Sequence, residues 1–151
     1  MLFTPPPNSG LRRLVWALFV LGSLGICAEL LLLGHFESNQ QRIPLALIIL
    51  CLAALAWHGL SRGATPLRAF RLIAGLLALS GLLGLYYHIQ ANIEFETEMY
   101  PDRQGLELAW EALRGALPAL APGAIVQLAL LGLAYTYGHP RLDKSPLPHE
   151  D

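Results

Sequence analysis

Four long apolar stretches constrain what this sequence can fold into. They cover about residues 14–34, 43–60, 72–89 and 119–137, and only 14% of all residues are charged, against about 25% in a soluble domain. A helix rises about 1.5 Å per residue, so each stretch can cross a hydrocarbon core of about 30 Å, the shorter ones by standing upright. The sequence therefore predicts an all-α integral membrane protein, a four-helix bundle rather than a soluble fold.

The domain division follows from these stretches. We expect a single transmembrane domain over residues 14–137, preceded by a tail of residues 1–13 and followed by a tail of residues 138–151, both rich in proline and poorly ordered. Arg12 and Arg13 precede the first stretch, as the basic residues of a signal peptide would, but the stretch is too long for one. The two cysteines lie inside apolar stretches, where we expect small buried apolar residues rather than disulfide partners or metal ligands.

The cations lie mostly on one side of the predicted bundle. Seven fall in the two tails and the second loop, and three fall in the first and third loops. Cytoplasmic segments of membrane proteins carry the excess of Lys and Arg, so we expect both tails in the cytoplasm and the third loop outside. The small size and simple loops favour a bacterial inner membrane, and the net charge of −1 offers nucleic acid no basic surface. The seven cations are Arg12, Arg13, Arg62, Arg68, Arg71, Arg141 and Lys144, and the other three are Arg42, Arg103 and Arg114.

The third loop, residues 90–118, is the longest and most acidic segment outside the predicted spans. Residues 92–99 alternate apolar and acidic side chains, which fits either a short extended stretch or a continuation of the third helix. Residues 104–117 carry apolar side chains at helical spacing, which predicts an amphipathic helix. Its apolar face would rest on the membrane interface or across the end of the bundle. The apolar residues of this face are Leu106, Trp110, Leu113 and Leu117.

Histidines and carboxylates gather at the outer ends of the first and third spans. Imidazole nitrogen and carboxylate oxygen bind zinc and related ions in sets of three or four, so this group is a candidate metal site. The spacing matches no established metal motif, and an acidic loop with interfacial histidines is the alternative interpretation. We expect no cofactor other than a divalent metal at this place. The candidate ligands are Glu29, His35, Glu37, His88, Glu94, Glu96 and Glu98.

Glu29 and Gln127 stand out among the polar residues within the predicted spans. An ionisable group near the bilayer centre costs about 2.5–3.5 kcal/mol on insertion scales, and Glu29 lies in the outer part of its span. We expect Glu29 to face the bundle, as a proton- or cation-binding carboxylate or as a protonated group that fastens two helices. Gln127 needs a hydrogen-bond partner and is expected to join helices. The third span carries small residues, among them Gly81 and Gly84, and should be the central packing helix, against another span or another membrane protein.

No catalytic triad order, phosphate-binding loop or dinucleotide fingerprint stands out, which argues only weakly against an enzyme. We expect an accessory, assembly or structural component of a membrane complex, in contact with the lipid bilayer and with other membrane proteins. One alternative is a cation-binding or proton- or metal-transporting protein that uses the Glu/His group. A lipid-modifying enzyme with the same carboxylates as general acid and base is the least supported alternative, because no nucleophile is evident.

Overall fold

Five α-helices and no β-strand make up residues 9–142, the part of the chain that the computed structural model describes. The helices are α1 (Ser9–Leu32), α2 (Asn39–Ser61), α3 (Ala64–Met99), α4 (Gly105–Leu113) and α5 (Gly123–Thr136). The prediction of an all-α chain is confirmed over this range. Three helices, α1, α2 and α3, are long and apolar enough to cross a membrane. Most of the two predicted tails, including Lys144, lies outside the described residues.

Local capping starts α2 earlier than the hydropathy pattern predicts. The hydroxyl of Ser38 accepts a hydrogen bond from the main-chain N–H of Gln41, whose side-chain oxygen accepts one from the N–H of Ser38. This reciprocal pair satisfies two of the N–H groups that a helix start leaves without partners. Because α2 begins at Asn39, Pro44 lies inside the helix and not in its first turn. The missing N–H of Pro44 removes one helical hydrogen bond.

The third helix is longer than its predicted span, and the fifth is shorter. Residues 92–99, which alternate apolar and acidic side chains, are helical and belong to α3, so the extended alternative is wrong. Between Pro118 and Pro122 the chain forms turns, with the N–H of Ala121 donating to the carbonyl of Pro118 at 3.0 Å. These turns delay α5, which has 14 residues and does not reach the length of the other three apolar helices.

Contacts between distant residues bring the helix ends into two groups. The Nη2 of Arg12 donates to the carbonyl oxygen of Gly138 at 3.0 Å, and the rings of His58 and His139 lie 5.4 Å apart between centroids. We call the end defined by these four residues the basic end. It also holds the start of α3, and the described cations there are Arg12, Arg13, Arg62, Arg68, Arg71 and Arg141.

The opposite end of the bundle is defined by His35, His88 and Pro118, and we call it the acidic end. The rings of His35 and His88 lie 6.2 Å apart between centroids, and the Nδ1 of His88 lies 3.2 Å from the carbonyl oxygen of Pro118. The described carboxylates all stand on the segments that lead to this end, in α1 after Cys27, in the loop before α2 and in residues 94–111. The two ends therefore differ in charge, as the distribution of cations predicts.

The core is centred on α3, which packs mainly against α5 and α2, while α1 packs mainly on α5. The rings of Phe19 and Phe70 meet edge to face with centroids 5.2 Å apart. Gly132 allows this contact, because a Cβ there would lie 2.9 Å from the ring of Phe19 and 3.1 Å from the ring of Phe70. Cys51 is fully buried, as predicted. The central packing role predicted for α3 is confirmed by its contacts with α5 and α2. Cys27 is partly buried.

The small residues of α3 receive another helix of the same chain. A Cβ at Gly81 would lie 2.7 Å from the Cγ2 of Val126 and 3.1 Å from the carbonyl oxygen of Pro122, and a Cβ at Gly84 would lie 3.1 Å from the Cβ of Pro122. The expectation left open whether a span or a second protein covers these residues. The structure places α5 against Gly81 and Gly84, so another helix of the same chain covers these two glycines.

Candidate functional site

The last turns of α3 and the segment that follows form one folded unit. At about 1.5 Å per residue, the 36 residues of α3 measure about 54 Å, which exceeds a hydrocarbon core of about 30 Å. Residues 90–118, which we call the α3–α4 hairpin, comprise the end of α3, a turn, α4 and the chain that returns to Pro118. This hairpin carries six of the described carboxylates and two arginines, and its internal contacts decide which of the carboxylates are available.

Asn92 forms the main polar contacts between α3 and the rest of the hairpin. Its side chain is buried, and its Nδ2 donates to the carbonyl oxygens of Ala112 and Leu117, each at 2.8 Å. Its Oδ1 accepts from the N–H of Leu117 at 3.1 Å. Gly115 passes directly over this amide, because a Cβ there would lie 2.5 Å from the Cγ of Asn92. Asn92 therefore fixes the end of α4 and the following turn against α3.

Glu96 and Arg103 form a second contact within the hairpin. Glu96 is buried and forms an ion pair and a hydrogen bond with the Nη1 of Arg103. The Nε of Arg103 also lies 3.5 Å from a carboxylate oxygen of Glu107, and its guanidinium carbon lies 3.9 Å above the ring of Tyr100. A buried carboxylate in contact with a cation has a structural role. Glu96 therefore holds the turn between α3 and α4 through Arg103.

Two of the candidate metal ligands meet at the acidic end. His35 and His88 are ring neighbours at 6.2 Å, although His35 follows α1 and His88 lies within α3. The proximity of these two residues is what the sequence predicted for the ends of the first and third spans. The Nδ1 of His88 faces the carbonyl oxygen of Pro118, so its Nε2 is the atom that could bind a metal.

The remaining candidate ligands are dispersed. Glu29, Glu37, Glu94 and Glu98 are exposed, and Glu94 accepts a hydrogen bond from the side chain of Gln90 at 3.3 Å. Within residues 9–142, no three His, Cys, Asp or Glu side chains stand close enough to hold a metal ion. The metal site stays a prediction, now resting on His35 and His88.

Glu29 and Gln127 both face outwards, contrary to expectation. Glu29 is exposed, because α1 buries the face of Phe19 and Ser23 and Glu29 lies about 80° around the helix from Phe19. Gln127 is also exposed, on the side of α5 away from Leu128 and Ala129. Neither side chain forms a hydrogen bond with any other residue that the structure describes. The prediction that Glu29 faces the bundle is wrong, and Gln127 joins no two helices of this range.

The amphipathic helix α4 turns its apolar side away from the bundle. Leu106 is 90% exposed and Trp110 is 59% exposed, whereas Ala112 is the residue of α4 that is buried. The apolar face therefore does not lie across the end of the bundle, one of the two positions considered. We call Leu106, Trp110, Leu113 and Leu117 the α4 stripe, since all four are exposed on this side.

The basic end contains a small group of aromatic and cationic side chains. The ring of His139 lies edge-on to both Tyr135 and His58, and the Nδ1 of His58 lies 3.0 Å from the carbonyl oxygen of Gly63. His58 and His139 thus stand together at one end, apart from His35 and His88, as their positions in the sequence predict. They serve to join the ends of α2, α3 and α5.

Sequence reasoning missed Asn92, Arg103 and Gly115, which build the hairpin. Asn92 and Glu96 are four residues apart and therefore share one face of a helix, a signal that becomes visible only when residues 92–99 are read as helical. Comparison with protein-family models, with curated proteins and with solved structures gives no match. The fold itself thus defines the class: an all-helical protein in contact with lipid, with three helices able to cross a membrane and one polar hairpin.

Proposed function

We propose that the chain crosses the membrane four times, with α5 and the turn before it as the fourth span. The support is the length of α3 along which this segment packs. Pro118 lies beside His88, Pro122 beside Gly84, and Gly132 beside Phe70. Eighteen residues of α3 separate Phe70 from His88, about 27 Å of helix. The turn at residues 118–122 supplies the length that α5 lacks, so the whole segment covers about one hydrocarbon thickness.

The basic end faces the cytoplasm in this proposal. Six described arginines stand at that end, and an excess of Lys and Arg characterises the cytoplasmic side of inner-membrane proteins. Both tails are then cytoplasmic, and the α3–α4 hairpin lies on the outer side of a bacterial inner membrane. Fusions of alkaline phosphatase and green fluorescent protein test this: we expect fluorescence from fusions after residue 142 and phosphatase activity from insertions after Asp102. The reverse pattern would refute the orientation.

We infer that the protein is an accessory or assembly component of a membrane protein complex. The observation that carries this inference is the exposed α4 stripe on a hairpin held in place by Asn92 and by the Glu96–Arg103 pair. Exposed apolar patches mark interaction surfaces, and Trp is among the residues that contribute most to binding. A surface that is already ordered loses less conformational entropy when a partner binds.

The charge around the stripe favours a protein partner over the lipid surface. Residues 90–118 contain six carboxylates and two arginines, and both arginines are paired within the hairpin. Anionic lipid headgroups attract basic segments and repel acidic ones. A protein surface with an apolar centre and a basic rim complements this hairpin.

Photo-crosslinking in native membranes tests the inference. A photo-activatable amino acid in place of Trp110 should give discrete protein adducts, and the same amino acid in place of Thr97, which is exposed elsewhere on the hairpin, should not. If the protein migrates on native gels within a complex larger than the monomer, Trp110→Ala should reduce the amount of that complex without changing the unfolding temperature of the purified protein. Adducts with lipid alone from position 110 would refute this function.

A cation-binding function is the second candidate, favoured by the contact of His35 with His88. Titration of the purified protein with zinc should show stoichiometric binding that His88→Ala and His35→Ala weaken. His58→Ala is the matched control, because it removes a histidine from a second ring pair at the basic end. Equal affinity in all four proteins, or no binding at all, would remove this candidate.

A further inference from the structure

Arg12 differs in its surroundings from the other described arginines of the basic end. The other five are exposed, as cations at a membrane surface usually are. Arg12 is only partly exposed, and its Nη2 donates to the carbonyl oxygen of Gly138, which follows Arg12 by 126 positions in the chain. The guanidinium group of Arg12 is therefore held against the end of α5.

This guanidinium group keeps one donor without an acceptor. The Nη1 of Arg12 is buried and forms no hydrogen bond with any residue that the structure describes. Arginine stays charged in proteins, and a buried charged donor without an acceptor costs free energy. No carboxylate within residues 9–142 forms an ion pair with Arg12 or with another arginine of the basic end. An anion from outside this range would satisfy the donor and offset the charge.

Aromatic side chains place Arg12 at the level of the lipid headgroups. Trp16 lies one helical turn from Arg12 on the same face of α1, about 6 Å further into the apolar part of the helix, and is 44% exposed. Tyr137, which precedes Gly138, is 83% exposed, and Trp57 at the same end of α2 is also exposed. Trp and Tyr concentrate at membrane interfaces, with their rings among the headgroups. The guanidinium group is therefore at the depth of the lipid phosphates.

Helix α1 packs on α5 along a line that leads to this place. The line runs from the contact of Phe19 with Gly132 to the contact of Arg12 with Gly138, and we call it the α1–α5 seam. We propose that the basic end of the α1–α5 seam binds the phosphate group of an anionic phospholipid, with Arg12 as the direct donor. A guanidinium group matches a phosphate, since it donates two parallel hydrogen bonds. Rotation of this partly exposed side chain brings Nη1 to a phosphate at the membrane surface.

The charge and the apolar surface around Arg12 favour a lipid as the source of the phosphate. Six described arginines and no described carboxylate stand at this end, and basic sites between membrane helices bind anionic headgroups. Trp16 offers apolar surface to the acyl chains directly below the phosphate, from which a free phosphate ion would gain nothing. The tail carboxylates Asp143, Glu150 and Asp151 lie outside the described residues and are the competing anions, so the test includes them.

Native mass spectrometry of the full-length protein tests the proposal, with micelles that contain equal amounts of phosphatidylglycerol and phosphatidylcholine. The wild type should retain phosphatidylglycerol in preference. Arg12→Gln should weaken phosphatidylglycerol binding about 10-fold or more, as expected for loss of a hydrogen bond between charged groups. Arg68→Gln is the matched control, because it removes the same charge from the same end at an exposed position. It should weaken binding at most about 5-fold, the contribution of one nearby cation.

Two further variants separate binding from folding and from the tail. Arg12→Lys keeps the positive charge and a donor for Gly138 but lacks the planar fork, so it should fold and should bind phosphatidylglycerol more weakly than the wild type. A variant with Asp143→Asn, Glu150→Gln and Asp151→Asn should bind phosphatidylglycerol at least as tightly as the wild type, because it removes competing anions. Inorganic phosphate added to lipid-free micelles should leave the unfolding temperature unchanged.

Each outcome decides for or against the site. A preference for phosphatidylglycerol that both Arg12 variants reduce, and Arg68→Gln reduces much less, supports the proposal. Equal retention of the two lipids by the wild type, or equal weakening by Arg12→Gln and Arg68→Gln, would overturn it. A preference that appears only in the tail variant would mean that the tail is the acceptor, and protection by inorganic phosphate as large as by phosphatidylglycerol would exclude a lipid as the source. Trp110→Ala should leave lipid binding unchanged, which separates this site from the inferred accessory function.

Discussion

Asn92 holds Leu117 by both of its main-chain groups. The Nδ2 of Asn92 donates to the carbonyl oxygen of Leu117 at 2.8 Å, and its Oδ1 accepts from the N–H of the same residue at 3.1 Å. A side-chain amide thus takes the place of a neighbouring main chain, since it offers a donor and an acceptor side by side. The irregular segment after α4 obtains its hydrogen bonds from α3, and the shape of the hairpin depends on this one residue.

Replacement of Asn92 should therefore loosen the hairpin. Asn92→Leu keeps the size of the side chain but leaves the carbonyls of Ala112 and Leu117 and the N–H of Leu117 without this partner. An unsatisfied buried polar group costs about 1–3 kcal/mol. We therefore expect the free energy of local unfolding of residues 100–118 to fall by at least this amount. Limited digestion with trypsin after Arg114 measures it. Gln90→Leu, which removes an exposed hydrogen bond on the same helix, should digest like the wild type.

Asn92 and Gly115 should also be coupled. Gly115→Ala would place a Cβ 2.5 Å from the Cγ of Asn92, so the alanine should displace the amide and break its hydrogen bonds. In the background of Asn92→Ala the space is free, and the same change should cost little. Unfolding of the four proteins of this double-mutant cycle should give a coupling free energy above about 0.5 kcal/mol. Simple additivity would contradict the contact.

Loss of Arg103 should destabilise the protein more than loss of Arg114. Arg103→Ala leaves the buried Glu96 without its cation, and breaking a buried pair costs up to about 3–5 kcal/mol. Arg114 is 64% exposed and lies 3.7 Å from Glu111, an arrangement typically worth about 0–1 kcal/mol. Thermal unfolding followed by circular dichroism compares the two variants. The double change Arg103→Ala with Glu96→Leu should recover part of the loss, because no buried charge remains.

The fold could be predicted from the sequence to the extent that apolar length determines it. The first three apolar stretches lie in helices long enough to cross a membrane, and the fourth forms the shorter helix α5. The small residues around Gly81 identified α3 as the central helix. Helix ends were harder, because they depend on local hydrogen bonds. The capping pair of Ser38 and Gln41 starts α2 before its apolar residues, and the turn from Pro118 to Pro122 delays α5.

The candidate site was less predictable, because the sequence alone does not say towards which neighbour each side chain points. A carboxyl group inside an apolar stretch, such as that of Glu29, is expected to face the protein interior. The angle of Glu29 around α1 from Phe19 turns it outwards. Glu96 was taken with Glu94 and Glu98 as one acidic run, although a helix separates them by about 100° per residue and directs Glu96 alone towards Arg103. The pairing of His35 with His88 was predictable, since the first and third spans run in the same direction and both histidines lie at their outer ends.

The packing of α5 on α3 gives the last prediction, which bears on the fourth span. Gly81→Ala would set a Cβ 2.7 Å from the Cγ2 of Val126, 3.0 Å from the main-chain nitrogen of Val126 and 3.1 Å from the carbonyl of Pro122. Main-chain atoms cannot move away as a flexible side chain can, so α5 must shift, at a cost of about 1–3 kcal/mol. The unfolding temperature of the purified protein should fall accordingly.

Gly75→Ala is the matched control for this change. It lies on the same helix, and a Cβ there would meet no atom within 4 Å. Alanine is favoured over glycine inside a helix by about 1 kcal/mol, so Gly75→Ala should leave the stability unchanged or raise it slightly. Both substitutions make the same gain in helix preference, so the difference between them reports the contact with α5 alone. Equal unfolding temperatures for the two variants would mean that α5 does not pack against Gly81, and the argument for residues 118–136 as the fourth span would lose its support.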